Sequence, residues 1–302
     1  LGLPAKVICG FVDDSVNRLL DVDPQREVAF SLVPVGYTSE LSAPSPAVVQ
    51  LGLETVPLSR REIDYPLMRE MHAASSLDSA EEVAKWRGGT PLSHLPRPVG
   101  PIIQLKPLSD AEIPRDSIEQ VILRRGSSRK FAHTPITLAQ LSTMLDRATR
   151  GVPADFLDPV GSQLNHLYLI INAVEGLEPG AYVFHRGRAV LELLKPGDFR
   201  SQAGYLGLQQ ALPADAAVDV FFLADLQPIL QRYGNRGYRA VQLEAGILGG
   251  KLYLGAYAQH LGATGLTFFD DDVTAFFSPH AQGKSAIFLV AVGHSAKSRP
   301  QP

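Results

Sequence analysis

Residues 11–36 read FVDDSVNRLLDVDPQREVAFSLVPVG, and 257 positions later, without a gap, residues 268–293 read FFDDDVTAFFSPHAQGKSAIFLVAVG. Ten of the twenty-six pairs are identical, among them Phe11 with Phe268, Asp13 with Asp270, Asp14 with Asp271 and Gly36 with Gly293. Both copies follow one plan: acidic residues able to cap a helix, a short apolar helix, a break, then a β-rich run ending in glycine. Matched order over this length does not arise from composition, and self-similarity at a fixed spacing decides architecture before any motif does. The repeat predicts that residues 1–37 are the C-terminal remnant of a first copy whose complete counterpart lies later in the chain. LGLPAKVICGFVDDSVNRLL then corresponds to LGATGLTFFDDDVTAFF with three residues looped out, and is expected to pack on the second copy.

A chain of 302 residues has room for about two domains. Hydrophobic residues make up 45% and charged residues 20%, enough to bury a sizeable core. The net charge of −3 and pI near 6.3 leave no electrostatic footprint for nucleic acid or an acidic membrane surface. The one cysteine, Cys9, rules out an intrachain disulfide framework and favours a reducing, cytoplasmic compartment. No run reaches the roughly 18 apolar residues of a membrane span. Neither nucleic acid nor membrane is therefore an expected partner.

From residue 38 to 115 the character changes. TSELSAPSP is turn-rich, GGTPLSHLPRPVGPIIQLKPLSD is proline-studded, and SLDSAEEVAKWR between them reads as a capped helix. The segment reads as a linker with short helices, a strap suited to wrapping a neighbour's surface. Residues 116–296 then form a complete domain, and 297–302 a basic tail. Within the domain SIEQVILRRG is a helix, and TLAQLSTMLDRATRG a second, capped by Thr137 and stopped by Gly151. HLYLIINAV, AYVFHRG, RAVLELL and DVFFLADL read as strands, the middle two as a hairpin. The longest helix is expected over 238–261. Its Gly246, Gly249, Gly250 and Gly255 each cost about 1 kcal/mol relative to alanine, which predicts close approach of another helix.

Chemistry concentrates in RRGSSRKF, residues 124–131. Guanidinium groups and hydroxyls at this density suit a phosphate, and they equally suit a solvated basic turn. His133, His166, His185, His260, His280 and His294 are scattered, without the i, i+4 spacing of a helical zinc site, so no metal is expected. No G-x-S-x-G elbow or P-loop occurs.

Here the sequence resembles the nitroreductase superfamily of FMN-dependent oxidoreductases. Arg125, Gly126, Ser127, Arg129 and Phe131 fit its motif of a basic residue, Ser, a basic residue and an aromatic, followed by PITLAQLSTMLDRATRG. VEGLEPGAYVFHRG and RYGNRGYRAVQLEAGILGGKLYLGAYAQHLGATGLTFFDDD are similar to the SagB-type branch, the azoline dehydrogenases of thiazole/oxazole peptide biosynthesis. The resemblance spans about residues 116–296. It implies an α+β, three-layer fold with a central, mostly antiparallel sheet flanked by helices. It also implies a two-fold assembly with each flavin between two copies, so that a tandem chain would be an intramolecular pseudo-dimer, with a homodimer of copies as the alternative.

By the same resemblance Arg125, Gly126, Ser127 and Arg129 hold the FMN phosphate and ribityl chain, joined by Lys297 and Arg299 of the basic tail. Ser162, Gln163 and Asn165 meet the flavin ring edge, or else form a plain polar turn before a strand. Backbone groups of Leu266, Thr267 and Phe268 face flavin N5, and in the first copy the Val7–Gly10 region takes that place. NAD(P)H would be a transient electron donor, and the substrate a small molecule or peptide. Relatives carry a Lys-Tyr pair where this chain has Arg232-Tyr233. A guanidinium stays protonated and is no neutral base near pH 7, though it orients an anion; Tyr233 is an acid or a half-buried aromatic. Three functions follow: a SagB-like FMN dehydrogenase, a flavin-binding scaffold in a peptide-modifying complex, or a quinone/nitroaromatic reductase.

Overall fold

The structure is a computed structural model describing residues 2–37, 47–54, 56, 59–87, 95–157 and 162–296. The chain divides into two compact units. The first comprises Leu1–Leu92, Val152–Ser162 and Gln227–Ala240, and the second Ser93–Gly151, Gln163–Leu226 and Val241–Pro302. Helices in chain order are α1 Asp13–Leu20, α2 Pro66–Ala74, α3 Ala80–Arg87, α4 Ile118–Arg124, α5 Leu138–Thr149, α6 Arg200–Leu206, α7 Ala211–Asp215, α8 Leu226–Tyr233, α9 Arg236–Ala258 and α10 Asp270–Phe277. Strands are β1 Ile102–Gln104, β2 Phe131–Ala132, β3 Ile136–Thr137, β4 Asn165–Ile171, β5 Val174–Glu175, β6 Gly180–His185, β7 Val190–Pro196, β8 Val218–Ala224, β9 Gly262–Leu266 and β10 Ser285–Ser295.

The second unit is built on an eight-stranded sheet in the order β1-β7-β6-β4-β8-β10-β2, with β9 also on β10. All of these pairings are antiparallel, while β3 and β5 form a separate parallel pair. Every residue of β4 and β8 is buried, which is why their sequences, apart from Asn165, His166 and Asp219, are apolar rather than alternating. Successive side chains still point to opposite faces. Tyr168, Ile170, Phe221, Leu223 and Leu289 pack on one face with Ala203 and Leu206 of α6 and Val273 and Phe277 of α10. On the opposite face Phe288 and Val290 approach Gly249 of α9, and Met144 of α5 lies against Gly255. Helices on both faces of a mostly antiparallel sheet give the α+β, three-layer fold expected from the sequence. Thr137 caps α5 through a reciprocal capping box with Gln140, and Gly151, at φ +116°, follows its end.

Three local expectations are corrected. The long helix runs Arg236–Ala258, starting two residues earlier and ending three earlier than 238–261. Gly234 adopts a left-handed φ of 58° and its carbonyl opens the first turn by accepting from Gly237, while left-handed His260 ends the helix before β9. The helix glycines do not share one neighbouring helix. A Cβ on Gly249 would stand 2.5 Å from the Phe288 ring of β10, one on Gly255 would make ordinary contact with Met144, and among the described residues one on Gly246 or Gly250 would meet nothing within 4 Å. Finally, the proline-studded segment contributes β1 to the sheet by pairing Ile102–Gln104 with β7.

In the first unit, α1 occupies the positions of α10 shifted by 257 at both ends. Ala5–Val35 and Ile8–Leu32 form antiparallel bridges, as β9 does with β10. The strap is tied down by α2 and α3. Ser79 accepts the Glu82 N–H at 3.1 Å to start α3, and α3 places Trp86 over Tyr233 at a ring separation of 5.3 Å.

Candidate functional site

The predicted anion loop lies in the second unit between α4 and β2. A reciprocal capping box of Ser117 and Gln120 starts α4, and Arg125 leaves helical conformation at its end. The loop then alternates. Ser128 points inward, with Oγ 2.7 Å from Ser295 Oγ and its N–H donating to the Ala263 carbonyl at 2.9 Å, whereas Arg125, Ser127 and Arg129 are exposed. Glycine is required at 262, where a Cβ would fall 1.9 Å from Ser295 Oγ and 2.2 Å from Ser128 Oγ. Arg124 is engaged, donating to Asp116 at 2.6 Å and to the Tyr257 carbonyl at 2.9 Å. Among the described residues no carboxylate pairs with Arg125 or Arg129, and Arg125 instead lies 5.5 Å from the centre of the Tyr253 ring. Two guanidinium groups and a hydroxyl, none held by a protein anion, form a donor set that fits a dianionic phosphate.

Tyr253 of α9 links this loop to the next predicted contact. Its hydroxyl is 3.4 Å from Ser127 Oγ and accepts the Gly265 N–H. Gly265 is the penultimate residue of β9, immediately before Leu266, Thr267 and Phe268. Thr267 is exposed, and Phe268 is half-buried against the core under α6 and α10. The two loops assigned to phosphate and to N5 are thus fixed by one buried tyrosine. Tyr253 gives no sequence signal, because a lone tyrosine in an apolar helix reads as core.

At the start of β4, Asn165 is fully buried. Its amide donates to the Val241 carbonyl at 3.0 Å and to Glu244 at 2.9 Å, and its Oδ1 has no hydrogen-bond partner among the described residues. Gln163 beside it is half-buried. Glu244, on α9, also accepts the N–H groups of Leu164 and Asn165 at 2.8 and 2.7 Å and pairs with Arg186 at 3.0 Å. Sequence reading missed Glu244, which aligns the entry to β4. Lys251, seven residues on, donates to the Gly151 carbonyl at 2.8 Å; burial and then Arg186 hold its pKa below the ordinary lysine value.

Residues 122–294, more than half of the chain, match the profile of the Nitroreductase family. The chain belongs to the nitroreductase family. It is by that membership of an oxidoreductase family. A protein of Methanocaldococcus jannaschii assigned as a nitroreductase is 26% identical over 172 residues, covering 54% of this chain and 84% of its own. A solved structure from Anabaena variabilis, assigned likewise, superposes with a TM-score of 0.74 at 24% identity, over 97% of this chain and 61% of its own. One from Ralstonia eutropha reaches 0.50 at 20% identity, over 69% and 99%. These two structures share the nitroreductase fold with this chain, which spans less than two thirds of the Anabaena protein's length.

The remaining predicted residues of this nitroreductase-family chain lie elsewhere. Ser162, Arg232 and Tyr233 belong to the first unit. Tyr233 is buried and its hydroxyl donates to the Phe156 carbonyl at 3.0 Å, while its own carbonyl accepts the Trp86 indole N–H at 3.0 Å. Arg232 lies 4.3 Å from the Tyr233 ring centre and donates to the Trp86 carbonyl at 3.2 Å. The Val7–Gly10 segment is closed by a side chain: Asp155 accepts the N–H groups of Cys9 and Gly10 at 2.8 and 2.9 Å. Burial pushes the Cys9 thiol up to about 11, so it stays protonated at neutral pH. Lys297 and Arg299 lie outside the described residues. Among the described residues no group of three His, Cys, Asp or Glu converges as a metal site, and no helix is long and apolar enough to cross a membrane.

Proposed function

We propose that this nitroreductase-family chain is an FMN-dependent dehydrogenase of the SagB type, acting within a tandem two-copy protein on a small molecule or peptide. The observation that carries the reading is the Ser127–Tyr253–Gly265 connection, which fixes an exposed Arg/Ser loop relative to the Leu266–Phe268 loop. Bound FMN would supply two-electron chemistry at N5, with NAD(P)H as a transient donor. Arg125, Ser127 and Arg129 would hold the phosphate, and Asn165 Oδ1, buried and without a partner among the described residues, offers an acceptor near Gln163 for a ring N–H.

Isolation of the protein should give a yellow chromophore, with FMN recovered on denaturation and bleached by NAD(P)H or dithionite. Protein without recoverable flavin, and without affinity for added FMN, would exclude the reading. A second reading, a flavin-binding scaffold in a peptide-modifying complex, draws support from Tyr233, whose hydroxyl is committed to the Phe156 carbonyl, and from Arg232 in place of a lysine. Oxidation of an azoline peptide by the protein would exclude the scaffold.

A further inference from the structure

Helix α2 is fastened chiefly at one end. None of its nine residues is buried, and Leu67 and Met68 are 78% and 69% exposed, so apolar contact contributes little to its seat. Its forward half is tied by Arg69, which pairs with Asp64 at 2.7 Å and donates to Gln25 at 2.9 Å. Exposed pairs of this kind hold weakly. The other end meets donors at the start of α9. Asn235 donates to the Ala74 carbonyl at 3.0 Å, Arg236 to the Ser75 carbonyl at 3.0 Å, and Arg239 Nε to Ser75 Oγ at 2.9 Å. Arg239 Nη2 reaches one turn back, donating to the His72 carbonyl at 3.0 Å and to His72 Nδ1 at 2.7 Å.

The last contact fixes a protonation state. A guanidinium only donates, so Nδ1 is the acceptor and the neutral imidazole of His72 carries its proton on Nε2. The surroundings oppose a second proton. Among the described residues Arg239, Asp13 and Arg236 are the charged groups facing the ring, two cations against one carboxylate. Cys9, whose carbonyl accepts from Arg236, adds only an uncharged thiol. Burial and then Arg239 hold the imidazole below its ordinary 6.5, with Asp13 opposing and Arg236 adding. A proton on Nδ1 would set two donors face to face at 2.7 Å and leave three cations around one carboxylate.

We infer that His72 is a pH-operated latch for the strap: α2 is fastened to Arg239 while Nδ1 is unprotonated, and protonation releases α2 from the start of α9. The pivot follows from what stays bound. Leu77 is tied to Asp13 twice, its N–H donating to the carboxylate at 2.9 Å and its carbonyl accepting the Asp13 N–H at 3.0 Å. Asp13 keeps both arginines in either state. The pivot is therefore Ser75, and the Asp13 clamp stays intact when α2 leaves.

The test is amide hydrogen exchange on the protein between pH 8 and 5, expressed as protection factors so that the intrinsic pH dependence of exchange divides out, with α3 as internal reference. A detached helix of nine residues is marginal in water, so its amides lose protection. The free imidazole titrates near 6.5, and protection over residues 69–76 should fall by up to about 10-fold for each pH unit below that value while α3 keeps its own. His72→Asn places a neutral acceptor oxygen near the position of Nδ1 and should hold protection constant to pH 5. His72→Lys carries a permanent cation and should leave α2 unprotected at pH 8 with α3 unchanged. Nitrogen NMR shifts of the imidazole should show Nδ1 unprotonated at pH 8, and protonated in step with the loss of protection. Protection that does not change with pH, a loss that persists in His72→Asn, a loss shared equally by α3, or a proton on Nδ1 at pH 8 overturns the latch. If asparagine fails to fasten α2 even at pH 8, the imidazole titration decides: a midpoint that coincides with the loss of protection supports the latch, and one that does not overturns it.

Discussion

Asp13 and Arg236 form an ion pair at 2.5 Å, with both side chains buried. Arg239 takes the second carboxylate oxygen at 2.9 Å, and Arg236 also donates to the carbonyls of Cys9 and Ser75 at 2.7 and 3.0 Å. One aspartate thus fastens the start of the chain, the strap and the first turn of α9 within the first unit. Breaking a buried pair leaves an uncompensated charge and costs about 3–5 kcal/mol. Asp13→Asn should therefore lower unfolding stability by about that amount. Asp270→Asn, its exposed counterpart, should change it by less than about 0.5 kcal/mol. Denaturant titration read through Trp86, the single tryptophan and buried in this unit, separates the two outcomes; equal effects would remove the clamp's role.

Acid should weaken the second unit in two stages. The imidazole of His280 is pushed below its ordinary 6.5 mainly by burial, with Glu192 opposing and His185 adding. Burial raises the Glu192 carboxyl, but the N–H groups of Gly100 and Val99, then His185, outweigh it and hold it below the ordinary 4.5. Both values are depressed on folding, so each group's contribution is complete above its unfolded value and is lost as pH falls. Stability should decline first below about pH 6.5 as His280 takes up a proton, and again below about 4.5 as Glu192 does. His280→Asn should remove the upper stage, and Glu192→Gln the lower one. Urea midpoints between pH 8 and 4 follow both stages, and amide exchange at Val99 and Gly100 follows the second.

What was legible in the sequence is what depends on neighbours. Ser117 with Gln120 and Thr137 with Gln140 are three apart, so both capped helices could be read directly. The apolar runs of β4 and β8 announce strands buried on both faces. Glu244 and Asp155 act through partners about 80 and 146 positions away, and such pairs leave no local pattern. Strand β1 was hidden because its three residues lie in a proline-studded stretch, and its pairing with β7 is set by tertiary contact. Of the candidate site, the Arg125–Arg129 motif was visible, whereas Tyr253, which ties it to Gly265, was not.

If the exposed loop holds a phosphate, its donors should matter individually. Hydrogen bonds to a charged group are worth about 1.5–3 kcal/mol, so Arg125→Ala and Arg129→Ala should each weaken FMN binding about 10–100-fold. Tyr253→Phe keeps the ring under Arg125 and removes the hydroxyl that joins Ser127 to Gly265. Its loss should be smaller, about 5-fold, the value of one ordinary hydrogen bond. Quenching of free flavin fluorescence on titration gives the three affinities. Unchanged binding in both arginine variants would place the phosphate elsewhere.

The glycines of α9 make opposite predictions within one helix. A Cβ on Gly246 or Gly250 would meet nothing within 4 Å among the described residues, so alanine there gains helix propensity without a clash with them. Each substitution should stabilise the chain by about 0.5–1 kcal/mol. At Gly249 the added methyl would stand 2.5 Å from Phe288, whose ring packs against Phe222 at 5.7 Å on the sheet. Relief requires either the ring or the helix to move, and overpacking of this kind costs about 1–3 kcal/mol. Gly249→Ala should therefore destabilise, and Phe288→Leu, by shortening the side chain, should recover part of the loss. Thermal midpoints of the four variants and the Gly249→Ala/Phe288→Leu double variant test this; a stabilised Gly249→Ala would mean that α9 stands farther from β10 than described.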